Sequence, residues 1–139
     1  MSVRIGLTLD CADAVRVAEF WKFALGYQDN PPPPPYTSVQ EWLTAVGEPD
    51  TGPQDGAWLR DPAGIGPSLS ILRVPEPKVA KNRLHIDIRV SAGVSPEERR
   101  AAVTAKVAEL TRAGASTLRA DPDHHVTMAD PEGNEFCVC

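Results

Sequence analysis

The stretch Ala129-Asp130-Pro131-Glu132-Gly133-Asn134-Glu135-Phe136-Cys137-Val138-Cys139 decides the fold, because Arg60-Asp61-Pro62-Ala63-Gly64 repeats its first half. In both places Pro presets one backbone angle and Gly permits another, which is turn chemistry and calls for no catalytic role. Each turn joins strand-like runs. Ala57-Trp58-Leu59 and Leu69-Ser70-Ile71-Leu72 flank the first, and Val126 to Met128 and Glu135 to Cys139 flank the second. A turn repeated in this setting predicts a chain of two similar halves with a site between them.

Working outward, each half opens on a strand followed by a helix. Arg4 to Asp10 alternates, with Ile5, Leu7 and Leu9 on one face and Gly6, Thr8 and Asp10 on the other. Asp13 is a good N-cap for a helix from Ala14 to about Leu25, in which Phe20 and Trp21 read as core and Gly26 supplies the stop. In the second half Arg83 to Val90 predicts a strand with Leu84, Ile86, Ile88 and Val90 on one face and His85, Asp87 and Arg89 on the other. Ser95-Pro96-Glu97-Glu98 combines an N-cap Ser, Pro at the first helical position and Glu at the third. That helix should run to about Ala113, with Val103, Val107 and Leu110 inward and Gly114 ending it, before a strand from Ser116 to Arg119.

The first half is the longer: 55 positions separate Gly6 from Asp61, against 45 between His85 and Asp130. The excess holds Pro31 to Pro35, an extended connector, and Ser38-Val39-Gln40-Glu41, a capping box for a short helix bearing Trp42, Leu43 and Val46 over one side of the fold. Val74-Pro75-Glu76-Pro77-Lys78 reads as linker. The division is module one over residues 1–76, a linker over 74–81 and module two over 82–139, within one domain of the α+β class.

Composition narrows the function classes. Of 139 residues, 42% are hydrophobic and 24% charged, the balance of a globular protein with a real core. The net charge is −5 and no dense Lys/Arg cluster occurs, which argues against nucleic acid. The opening Met1 to Leu7 lacks the apolar run of a secretory signal and no stretch has the length of a membrane span, so a cytoplasmic protein without membrane partners is expected. Cys11, Cys137 and Cys139 are odd in number and lie in strand-like runs, against a disulfide framework.

The order of Leu9-Asp10-Cys11-Ala12-Asp13, Phe20-Trp21, Leu25-Gly26-Tyr27, Asp61-Pro62-Ala63-Gly64, Leu84-His85-Ile86-Asp87 and Asp130-Pro131-Glu132-Gly133-Asn134-Glu135-Phe136 resembles the glyoxalase/bleomycin-resistance/dioxygenase group, also called the vicinal oxygen chelate superfamily. Within it, Arg73 to Lys78 and Lys81 to His85 resemble bacterial glyoxalase-like domain proteins. The resemblance implies two βαβββ modules whose curled mixed sheets surround a cavity. It also implies homodimers, and in the enzymes a divalent metal held by His, Gln or Glu from the first and last strands of both modules. Carried over position by position, the four ligand places are Gly6, Leu72, His85 and Cys137, of which only His85 keeps a metal-binding side chain of the usual kind.

The expected site follows from faces as well as positions. Glu135 and Asp87 stand two residues from Cys137 and His85, and Thr8 and Asp10 share the face of Gly6. His85, Asp87 and Glu135 are therefore the candidate acid/base residues, or a hydrogen-bonded network. Thr8, Asp10, Leu72, Cys137 and Trp42 are the candidate ligand contacts, and His85 the candidate metal ligand. Cys137-Val138-Cys139 reads as packing, and His124-His125 as a turn entering a strand with His124 at the surface. The leading expectation is a small-molecule-binding protein without the full metal site, the cofactor being left open. The alternatives are a metal-dependent lyase or dioxygenase with a rearranged site at His85 and Glu135, and a drug-sequestering protein for which Trp21, Trp42 and Trp58 could meet aromatic cations.

Overall fold

The computed structural model describes residues 2–49, 52–121 and 125–139; the reading of His124 lies outside them. Two compact units emerge, one of Met1–Lys22 and Gly26–Pro75, the other of Phe23–Leu25 and Glu76–Cys139.

The first unit contains β1 (Gly6–Cys11), α1 (Ala14–Leu25) as far as Lys22, β2 (Gln28–Asp29), α2 (Val39–Ala45), β3 (Gly56–Arg60) and β4 (Ser68–Arg73). Its strands form one sheet in the order β1-β4-β3-β2, with β1 parallel to β4 and the other pairs antiparallel. α1 starts where Asp13 accepts hydrogen bonds from the amides of Val15 and Arg16, and stops at Gly26 in a left-handed conformation with φ 69°. Ala14, Val17, Phe20 and Trp21 are buried on it, as are Leu59, Leu69 and Ile71 on the sheet. The opposite sheet face is set by the register Gly6↔Ser68, Thr8↔Ser70, Asp10↔Leu72 and Trp58↔Ser70. Ile5, expected inward, is 69% exposed because pairing begins only at Gly6. The connector after β2 bends at Pro34-Pro35, joined by a cis bond, where the Tyr36 amide donates to Pro33 O at 3.1 Å.

The second unit repeats the plan with β5 (Asp87–Ile88), α3 (Pro96–Arg112), β6 (Ser116–Asp121), β7 (His125–Ala129) and β8 (Glu135–Val138). Its order is β5-β8-β7-β6, again with the first strand parallel to the last. The α+β class and the two βαβββ repeats agree with the turn-based reading, and hydrogen bonding divides the strands into two four-stranded mixed sheets. Ser95 and Glu98 form the complete capping box. Val103 and Leu110 of α3, Met128 of β7, and Phe136 and Val138 of β8 are buried, whereas Val107 is only half-buried.

One element is shorter than the alternation predicts. In place of a strand over Arg83–Val90, only Asp87–Ile88 pairs as β5, and the chain bends at Arg83-Leu84. The reason lies in what the start of the segment bonds to: the Asn82 amide goes to the Glu135 carboxylate at 2.9 Å, and Asn82 O meets His85 Nε2 at 3.0 Å. Leu84 is consequently 67% exposed instead of facing inward.

Candidate functional site

The repeated turns are built by their aspartates. Asp61 accepts from the amides of Ala63, Ile65 and Gly66 at 2.9, 3.1 and 2.8 Å. Hydrogen bonding by Gly66, then Ala63, lowers its pKa. Asp130 accepts from the amides of Glu132 and Asn134, both at 2.9 Å, and takes the Asn134 side-chain amide on both oxygens. Gly64 and Gly133 follow at φ 70° and 89°. These groups shape the turns before β4 and β8.

On the second sheet, register places Asp87 beside Cys137, and Cys137 beside Thr127, whose hydroxyl lies 3.7 Å from the thiol. Glu135 and Cys137 are half-buried and alternate with buried Phe136 and Val138, so they occupy the face away from the apolar core. Glu135 is a clasp: Lys78 Nζ lies 3.2 and 3.1 Å from its two oxygens, and Asn82 donates its backbone amide. The Asn82 amide, assisted by Lys78, holds the carboxyl at about 2. His85 is exposed and bonds to Lys81 Nζ and Asn82 O, while Asp87 pairs with Arg89 at 3.7 Å. The three candidate acid/base residues thus share a neighbourhood by sequence and strand register, yet each has its own partners. His125 is exposed on β7.

The metal implied by the resemblance can be tested on donor chemistry. Gly6 has no side chain, Leu72 no donor atom, and both oxygens of Glu135 are engaged by Lys78 and Asn82. Among the described residues, no group of three His, Cys, Asp or Glu side chains is arranged to hold a metal ion. This donor set does not fit a resident divalent metal. Cys11, Cys137 and Cys139 are not joined in disulfides, and the Cys11 thiol donates to Leu72 O at 3.4 Å.

The first unit holds a cleft of about 360 Å³ on the open face of its sheet. Trp58 and Gly56 of β3 and Leu72 of β4 form the floor, and Trp42, Leu43 and Val46 contribute from the α2 segment. α2 stands there because Ser38 caps it, accepting from the Glu41 amide at 3.1 Å, while Glu41 accepts from the Thr37 amide at 2.8 Å and from its hydroxyl at 3.0 Å. The rings of Trp42 and Trp58 meet edge to face, with centroids 6.1 Å apart at 75°. A Cβ on Gly56 would lie 3.1 Å from Cη2 of Trp58, so the missing side chain makes room for the indole. The loop beneath is tied down at both sides: Gln54 O accepts from the Ala14 amide at 3.0 Å, and Asp55 takes the Arg73 side chain at 3.0 Å and its amide at 2.9 Å.

The structure therefore brings Leu72 and Trp42 into one cleft, with Asp10 and Thr8 on the same sheet face at register positions beside Leu72 and Ser70. Sequence reasoning did not place Gly56, Leu43, Glu48 and Asp55 among the ligand contacts, and it read Trp21 as core. Trp21 is indeed core, at 1% exposure, whereas Trp58 is half-buried. The available signal was Gly56 standing two residues before Trp58 on one strand face.

Two units with the first strand parallel to the last and a three-strand antiparallel run define the fold of the glyoxalase/bleomycin-resistance/dioxygenase class. The chain belongs to the glyoxalase-like domain family, whose model matches residues 6–139. Among solved structures it is similar to the fosfomycin resistance protein FosX of Mesorhizobium loti, at 10% identity and TM-score 0.65, covering 99% of this chain and 90% of that one. It is also similar to a glyoxalase/bleomycin resistance protein/dioxygenase family enzyme of Burkholderia phytofirmans, at 14% identity and TM-score 0.62 over 95% and 93% of the two chains. A possible glyoxalase of Bacillus cereus has 17% identity and TM-score 0.60 over 99% and 98%. At these identities the likeness is one of fold. No curated protein matches the sequence.

Proposed function

We propose that this glyoxalase-like protein binds a small molecule in the cleft of its first unit, between the α2 segment and the β3–β4 floor. The observation that carries this reading is the half-buried Trp42–Trp58 pair standing on an open sheet face beside Leu72, with Gly56 leaving space for the ring. A concave, mainly apolar site with a few polar groups is the usual form of a small-molecule pocket. Acid–base chemistry by His85 with Asp87 or Glu135 receives less support. A carboxyl held at about 2 is far from the neutral pKa that general catalysis favours.

The test is intrinsic tryptophan fluorescence during titration with a panel of small aromatic compounds, repeated on Trp42→Ala. Saturable quenching or a spectral shift in the wild type, weakened at least tenfold in the variant, is the expected result. Equal affinity in both proteins would place binding elsewhere. Homodimerisation, implied by the resemblance, belongs to the same proposal and is read by light scattering on a sizing column.

A further inference from the structure

We propose that the cleft of the first unit selects organic cations, specifically small ammonium compounds carrying an aromatic or other apolar body. This rests on the reading that the cleft is the ligand site and adds the chemical class of its occupant.

The lining is one-signed. Among the described residues its charged members are Glu48 and Asp55, and none is Lys, Arg or His. Asp55 is partly compensated by Arg73, which pairs with it at 3.0 Å and is itself more than half exposed and outside the lining. Glu48 is exposed, with its backbone amide anchored on Leu43 O at 2.9 Å, so its position follows the end of α2. An anionic ligand would meet the Glu48 carboxylate and an Asp55 only partly offset by Arg73, with no cation in the described lining to receive it. A neutral apolar ligand would use the hydrophobic wall and leave the carboxylates idle.

A cation with an apolar body uses both surfaces. Trp42 and Trp58 stand at 75° to one another, an angular wall that can offer indole surface to a bulky ammonium group. Leu43, Val46 and Leu72 supply apolar contact for the remainder of the molecule. The volume of about 360 Å³ falls at the lower end of the range for small-molecule pockets, suiting a single-ring compound.

The experiment compares benzyltrimethylammonium, benzyl alcohol and benzoate, three probes sharing a ring but differing in charge, by calorimetry and tryptophan fluorescence on the full chain. The expected order is the ammonium compound about tenfold or more tighter than the alcohol, with benzoate weakest. Glu48→Gln, a surface change that leaves the indoles in place, should reduce the ratio of ammonium to alcohol affinity several-fold. If the alcohol or benzoate binds as tightly as the ammonium compound, cation selection is overturned while the cleft reading survives. If none of the three binds or perturbs the tryptophans, both fail. Retention of the full preference in Glu48→Gln and in a second variant, Asp55→Asn, would remove the carboxylates from recognition and overturn the proposal.

Discussion

Asp130 illustrates how one side chain can hold a corner of the fold. It is 3% exposed, and the amides of Glu132 and Asn134 with the Asn134 side chain converge on it. Asp130→Ala would leave these donors without their acceptor, and a loss of roughly 2–4 kcal/mol is expected for breaking such a buried network, measurable by urea denaturation. Glu135 acts at a distance in sequence, tying Lys78 and Asn82 to β8. Its carboxyl is lowered from an ordinary value of 4.5 to about 2, so the folded state binds this proton less readily than the unfolded state. The resulting stability is present above about pH 4.5 and is lost as pH falls toward 2. Wild type should therefore exceed Glu135→Gln by on the order of 2 kcal/mol at pH 6, converging with it near pH 2 in paired denaturation curves. A gap independent of pH would show that the clasp owes nothing to the charge of Glu135.

The helices were the most legible elements, because their ends are written in single residues. Asp13 and Gly26 bound α1, and Ser95, Pro96 and Glu98 start α3, each by a contact within a few positions of chain. Strand extent was less legible. The alternation from Arg83 to Val90 identified the faces, but pairing length depends on Asn82 being drawn to Glu135, 53 positions later. The two-residue β2 offered no period to read and exists through its pairing with Leu59 and Arg60. Capping energies give an element-scale test. Ser95→Ala should cost about 1 kcal/mol and show as lower global stability, since α3 carries the buried Val103 and Leu110. In α2 no residue is buried, so Ser38→Ala should leave global stability almost unchanged while accelerating amide exchange across Val39–Ala45 and weakening ligand binding. Unchanged exchange in that segment would mean that its cap does not govern α2 order.

At the scale of the molecule, the Asp-Pro-x-Gly echo disclosed the repeat because a turn is local chemistry used twice. The cleft lay beyond such reading: Trp42 and Trp58 come from different elements, and their encounter depends on where the capped α2 lands on the sheet. What the repeat cannot supply is asymmetry, and the site proposed here belongs to the segment that makes the halves unequal. The chain's net charge of −5 also favours approach of cations over anions, with a range of about 8 Å at physiological salt. Binding to the folded state alone must then raise thermal stability in proportion to occupancy. At a free benzyltrimethylammonium concentration one hundred times its Kd, the gain is about 2.7 kcal/mol. For a chain of 139 residues this corresponds to a rise of roughly 8–12 °C in Tm. Trp42→Ala, at the same ligand concentration and with binding weakened tenfold, should retain about half of that rise or less, because its weaker binding lowers the linkage term. A wild-type Tm unmoved at a concentration that calorimetry shows to be saturating would mean that the ligand binds folded and unfolded chains alike, which a cleft assembled by folding does not permit.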